Sequence, residues 1–180
     1  GLPSGKRLLL FGALNVTDKR KGIDYLIEAL RRMEKQDVEL VVFGQVKDDI
    51  RGLFPVPIHS MGYLSDESKI VALYNAVDMF ITSSLEENLP NTIMESMACG
   101  TPCVGFEIGG IPEMIDHRVN GYVANYKDAG DFANGIQWVL EHEDRLALSD
   151  ACVKKVQENY TEEVVAKQYT ALYEKLLKGE

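Results

Sequence analysis

The stretch "EENLPNTIMESMACG" places Glu87 and Glu95 with seven residues between them. A carboxylate accepts hydrogen bonds from paired hydroxyls, such as those of a sugar. Asn88, Leu89, Pro90, Asn91 and Thr92 lie between the two acids and lead into a short helix. The first N–H groups of a helix lack backbone partners and favour an anion. Pro90 suits the first turn, where its missing N–H costs nothing. At about 100° per residue, Ile93, Met94, Met97 and Ala98 form one stripe, and Glu95 points to the open side. A second cluster, Lys19, Arg20 and Lys21, follows the strand ending at Phe11 and Gly12 and opens the next helix. Cations are unfavourable at a helix N-terminus, so their placement makes sense if an anion lies between them and the helix. Gly12 permits close backbone approach there. Both clusters also read as ordinary solvated surface charge, and spacing alone leaves the two readings open.

Other chemistries find little support. The chain has neither G-x-G-x-x-G nor a Walker lysine motif, so a standard dinucleotide fingerprint and a P-loop are excluded. Asp48 and Asp49 are adjacent and would diverge on a helix, so they read as a solvated turn. His59, His117 and His142 are scattered, and Cys99 and Cys103 flank Gly-Thr-Pro without a second ligand pair for zinc. Ser83 and Ser84 lack the nucleophile elbow of a hydrolase.

The elements that must position these residues are short apolar runs alternating with amphipathic segments. "KRLLLFG", "VELVVFG", "PIHSMG", "VDMFITSS", "TPCVGF" and "NGYVANY" read as strands. Ile23, Leu26, Ile27 and Leu30 recur at i, i+3, i+4, i+7, one face of a helix. "SDESKIVALYNA" is a second helix with Ser65 as its N-cap. "LPNTIMESMACG" is a short third, ended by Gly100. "GGIPEMID" holds a turn and a short helix, and three helices follow from Lys127, the last starting at Thr161. Such alternation implies an α/β domain, a doubly wound, Rossmann-like parallel sheet, whose ligands bind at the carboxyl ends of the strands.

The 180 residues carry 46% hydrophobic and 26% charged side chains and a formal net charge of −9. One domain is expected, and the acidic balance argues against nucleic acid as a partner. No apolar run approaches the ~18 residues of a membrane span. Three cysteines fit a reduced, cytoplasmic protein. The chain opens on Gly1 rather than Met, which reads as processing or, better, as a piece of something longer.

"SSLEENLPNTIMESMACGTPCVGFEIGGIPEMIDHRVNGYVA" resembles the C-terminal domain of retaining glycosyltransferases of GT-B architecture, family 4. Glu87, seven residues, Glu95, "ACGTPCVG", "GGIPE" and "NGYV" follow that family's order. The opening "FGALNVTDKRKGIDYLIEAL" is similar to its first strand, phosphate loop and helix, so the likeness covers nearly the whole chain. The resemblance implies one half of a GT-B fold. Residues 1–160 would form a nucleotide-sugar-binding domain, and 161–180 a helix crossing to an N-terminal domain that must precede this chain. It implies transfer of a hexose from a UDP-, GDP- or ADP-sugar, without a metal or other cofactor, to a glycan or lipid-linked acceptor. Glu95 would accept from the donor ribose, and Glu87 would contact the transferred sugar near its anomeric carbon. Lys21 would bind the diphosphate, and Gly62, Tyr63 and Leu64 would hold the base. Asn88, Leu89, Pro90, Asn91 and Thr92 would meet sugar and diphosphate, Pro90 by shape alone. The family commonly carries Arg where Ala13 stands, and Arg20 would substitute for it. A nucleotide-sugar epimerase of the same architecture and a non-catalytic nucleotide-sugar-binding module remain as alternatives.

Overall fold

A computed structural model describes residues 2–15, 18–33, 37–45 and 51–179. The Asp48–Asp49 pair lies outside the described residues. Among the described residues, six strands form one sheet: β1 Arg7–Asn15, β2 Val38–Gln45, β3 Ile58–Gly62, β4 Met79–Thr82, β5 Cys103–Phe106 and β6 Gly121–Ala124. Every pairing is parallel and the order is β3-β2-β1-β4-β5-β6. The strands are those expected from the apolar runs. β4 and β5 are buried at every residue, as a strand covered on both faces must be.

The side-chain alternation of β1 divides the core. Leu9 and Phe11 face one layer with α1 (Ile23–Arg32). Leu8 and Leu10 face the other with α2 (Glu67–Asn75) and α3 (Asn91–Ala98). A four-residue helix, α4 (Ile111–Met114), buries Ile111 and Met114 in the second layer. α5 (Ala129–Leu140) packs beside α1 in the first layer, and α6 (Arg145–Asn159) lies along α3. Each fully buried Leu, Ile or Phe contributes about 1.5–3 kcal/mol, so two complete layers hold the sheet from both sides. α7 (Glu162–Lys178) begins at Thr161, whose hydroxyl accepts from Val164 N at 3.3 Å, and has no buried residue. The doubly wound, Rossmann-like fold with a helical tail is therefore present.

Four local expectations are corrected. Asp66, not Ser65, caps α2, because its carboxylate accepts from both the N–H and the hydroxyl of Ser68. Pro90 is the N-cap of α3, with extended backbone, rather than a first-turn residue. The buried stripe of α3 is Ile93, Ser96 and Met97, whereas Ala98 is exposed. Packing against both sheet and α6 rotates the buried face onto Ser96, whose hydroxyl is satisfied by the Thr101 carbonyl at 3.0 Å. Lys19–Lys21 does not open α1 but forms its own 3-10 turn, separated from α1 by Gly22 in the left-handed region.

Candidate functional site

The strand order reverses between β1 and β4, and the carboxyl ends of such strands are where a ligand crevice opens. A cavity of about 550 Å³ lies there. Gly12 and Ala13 from β1, Phe43 and Gly44 from β2 and Thr82 from β4 form its floor. Tyr63 and Leu64 line one side, and Glu87, Leu89, Pro90, Asn91, Thr92 and Glu95 another. Lys21 closes it. Residues from six separate stretches of chain thus share one space.

Lys21 reaches the cavity because its turn is fastened to the loop leaving β4. Leu85 N donates to Arg20 O at 2.7 Å, and Ser83 Oγ donates to Lys21 O at 2.8 Å. Gly22, at φ +59°, lies so close to this loop that a Cβ would fall 2.0 Å from Ser83 O. With the backbones locked, Lys21 Nζ stands 2.6 Å from Glu87 Oε1 and 3.4 Å from Ser84 Oγ. Both side chains of this pair keep some solvent contact. Glu87 is placed from below by the two glycines of "GGIPE". Gly109, at φ +55°, would bring a Cβ to 2.1 Å from Glu87 O, and Gly110 N donates to Asn88 O at 2.6 Å. The cradle under Glu87 therefore depends on the absence of a side chain twenty-two residues further along the chain.

Glu95 sits one turn into α3, exposed toward the cavity as the helical geometry implied. Its Oε2 accepts from the hydroxyl of Tyr74 on α2 at 3.1 Å. Burial, and then the Glu95 carboxylate, push the Tyr74 phenol well above its ordinary pKa. Tyr74 carried no motif signal in the sequence, and neither did Phe43 or Thr82. Tyr74 reads simply as an apolar-face residue of α2, and its partner becomes visible only when α2 and α3 are packed together.

Three expected residues stand apart from the cavity lining: Arg20, Gly62 and Asn88. Arg20 Nη2 is 2.7 Å from Asp18 Oδ2, and Nε approaches both Asp18 oxygens at 3.2 Å. The guanidinium beside it holds the Asp18 carboxyl at about 2. Asp18 thus engages the cation that was expected to replace the arginine absent at Ala13. Ala13 itself is buried in the core layer under α1. Gly62 ends β3 at φ +65°, and Asn88 is represented by the carbonyl that Gly110 holds. Gly12 does line the cavity, but its Cβ direction is filled by Phe43, whose Cζ would lie 2.3 Å away. The glycine accommodates a ring from β2 as well as opening backbone to the crevice.

Among the described lining residues, Lys21 is the one cation, facing two carboxylates. No helix is long and apolar enough to cross a membrane, and no group of three His, Cys, Asp or Glu converges among the described residues. Cys99, Cys103 and Cys152 are free thiols, the last two buried.

The fold and cleft define a parallel α/β domain with an open cavity at the topological switch point. The comparisons then supply the family. Residues 5–142 match glycosyl transferases group 1, and the chain belongs to that family. It is 28% identical over 183 residues to an uncharacterized glycosyltransferase of Methanocaldococcus jannaschii, covering 96% of this chain and 46% of that protein. It is 32% identical over 118 residues to the N,N'-diacetylbacillosaminyl-diphospho-undecaprenol alpha-1,3-N-acetylgalactosaminyltransferase of Campylobacter jejuni, covering 65% and 31%. The solved structure of Anabaena HepE in complex with UDP-glucose superimposes with a TM-score of 0.79 at 20% identity, covering 95% of this chain and 49% of that one. The chain thus spans between about a third and a half of the length of the relatives it matches.

Proposed function

We propose that this chain is the donor-binding half of a glycosyltransferase that moves a hexose from a nucleoside-diphosphate sugar, with retention at the anomeric carbon. The observation that carries the reading is Lys21 Nζ held 2.6 Å from Glu87 at the mouth of α3, in a cleft with Glu95 on the same helix. α3 has no side-chain cap, so its first-turn N–H groups at Asn91 and Thr92 are available to an anion. Glu95 accepts from the ribose hydroxyls and Tyr63 and Leu64 hold the base. The diphosphate lies between Lys21 and the start of α3, and the transferred sugar lies against Glu87. On binding, the ammonium turns from Glu87 to the diphosphate, and the freed carboxylate accepts from the sugar.

As the glycosidic bond breaks, the diphosphate gains negative charge. Lys21 and the uncapped helix end stabilise that charge where it develops, and the site calls for no metal in this reading. HepE, named above with UDP-glucose, supports a nucleotide-sugar donor, and the Campylobacter relative's name supports a lipid-linked or glycan acceptor. The acceptor belongs to a second domain, toward which α7 presents Tyr169, Leu172, Tyr173 and Leu176.

Calorimetric titration of the chain with UDP, GDP and ADP and their sugars tests the reading. One base series is expected to bind, and Lys21→Met to weaken it at least tenfold, as loss of a charge-assisted contact does. Arg20→Ala is expected to change affinity less than about twofold, because its partner is Asp18. No binding by any series would overturn the donor-site reading. Sugar transfer by the chain alone would overturn the need for a second domain.

A further inference from the structure

We propose that Tyr74 is a positioning residue for ribose recognition, fixing Glu95 before the donor arrives; this rests on the donor-site reading above. Glu95 projects from the exposed side of α3, where a glutamate has three torsions to be fixed. The Tyr74 hydroxyl removes that freedom by donating to Oε2 at 3.1 Å. Glu95 lines the cleft, and Oε1 and the remaining lone pair of Oε2 are left as acceptors for two adjacent hydroxyls.

The donor is itself firmly held. Tyr74 is 1% exposed, with its ring edge-on to Phe43 at 6.3 Å and to Phe80 at 6.0 Å. Its backbone is tied to the helix that carries Glu95. Thr101 Oγ1 donates to Tyr74 O at 2.9 Å, and Ser96 Oγ donates to Thr101 O at 3.0 Å. Phenol and carboxylate are thus joined both through their side chains and through the junction between α2 and α3. Burial keeps the phenol protonated, so it remains a donor. A buried tyrosine hydroxyl usually finds an acceptor. Here the acceptor is the carboxylate that lines the cavity, which couples an inner-layer residue to the ligand.

Two roles separate experimentally. A purely structural Tyr74 would lower stability when changed and affect all ligands alike. A positioning Tyr74 acts only on ligands that offer hydroxyls to Glu95. The measurement is the affinity of the chain for UDP, GDP and ADP, each beside its 2′-deoxy counterpart, read on the base that binds most tightly. The wild type is expected to favour the ribonucleotide by about tenfold, the size of a lost hydrogen bond to a charged group. Tyr74→Phe is expected to shrink that preference to about two- to threefold, with 2′-deoxy affinity nearly unchanged. Glu95→Ala is expected to abolish the preference and to make a further Tyr74→Phe silent, as members of one network do in a double-mutant cycle. Thr101→Val loosens the same junction while sparing the hydroxyl, so it should lower Tm and leave the preference intact.

An unchanged preference in Tyr74→Phe, or equal losses for both sugars, would overturn this role while leaving the donor site standing. A preference that also collapses in Thr101→Val would assign the effect to the junction instead of the phenol. Failure of every nucleotide to bind the wild type would overturn the donor site and this role together.

Discussion

The two ends of the sheet each carry an ion-paired carboxylate, and they are built differently. At the amino end, Asp78 accepts from Leu8 N at 2.7 Å, Arg7 Nη1 at 3.0 Å and Arg145 Nη1 at 2.6 Å. It joins β1, the start of β4 and α6, and its oxygens have little capacity left. At the carboxyl end, Glu87 pairs with Lys21 at the wall of a cavity. The amino-end group has been saturated by its own chain and serves stability. The carboxyl-end group retains acceptor capacity and a partner that can leave, which is what a binding site needs. Burial raises the Asp78 pKa, but the Leu8 amide and Arg145 outweigh it, so the net shift is downward. The position of Glu87 rests on how closely the backbone beneath it is cradled.

The largest effect is expected where that cradle is broken. Gly109→Val forces a branched side chain into a left-handed backbone and against the Glu87 carbonyl, and should cost about 3 kcal/mol or more. Thermal unfolding should show a fall of roughly 6–12 °C, and calorimetry a loss of nucleotide binding. Retained binding would mean that the carboxyl end is less dependent on this cradle than the contrast requires.

Asp78→Asn probes the other end. It should cost about 1.5–3 kcal/mol, the range for hydrogen bonds to a charged group, and leave nucleotide affinity unchanged. The pH dependence has a definite sign. The folded pKa lies below the unfolded value near 3.9, so the contribution is complete at neutral pH. It fades as pH falls below about 4 and through the folded value. Urea midpoints between pH 3 and 7 should show a shallower acid limb in Asp78→Asn than in the wild type. A matching drop in nucleotide affinity would dissolve the distinction between the two ends.

The smallest effect lies away from both ends. Thr161→Ala removes the cap of α7 and should cost its helix about 1 kcal/mol. Because α7 buries no residue, hydrogen exchange should show fraying confined to it, with the cleft and the global midpoint little changed.

Much of this molecule was legible before its structure. The six apolar runs became the six strands, and the 3.6-residue period of Ile23, Leu26, Ile27 and Leu30 became α1. Glu95 faces the cavity because angular position on a helix follows from residue spacing. The errors sit where a neighbour in space chose among local options. Ser96 is buried instead of Ala98 because α3 packs against α6 as well as the sheet. Arg20 turns away because Asp18, two residues earlier, captures it in a tight turn.

The sequence by itself determined the layers, the family and the carboxylate and lysine types at the site. Periodicity, composition and motif order are properties of the chain alone. Only the tertiary structure decided that Lys21 meets Glu87 across sixty-six residues, that Gly109 supports Glu87, and that Tyr74 holds Glu95. Each of these depends on a distance between separate segments. Such distances are set by the packing of whole elements, so no local pattern encodes them.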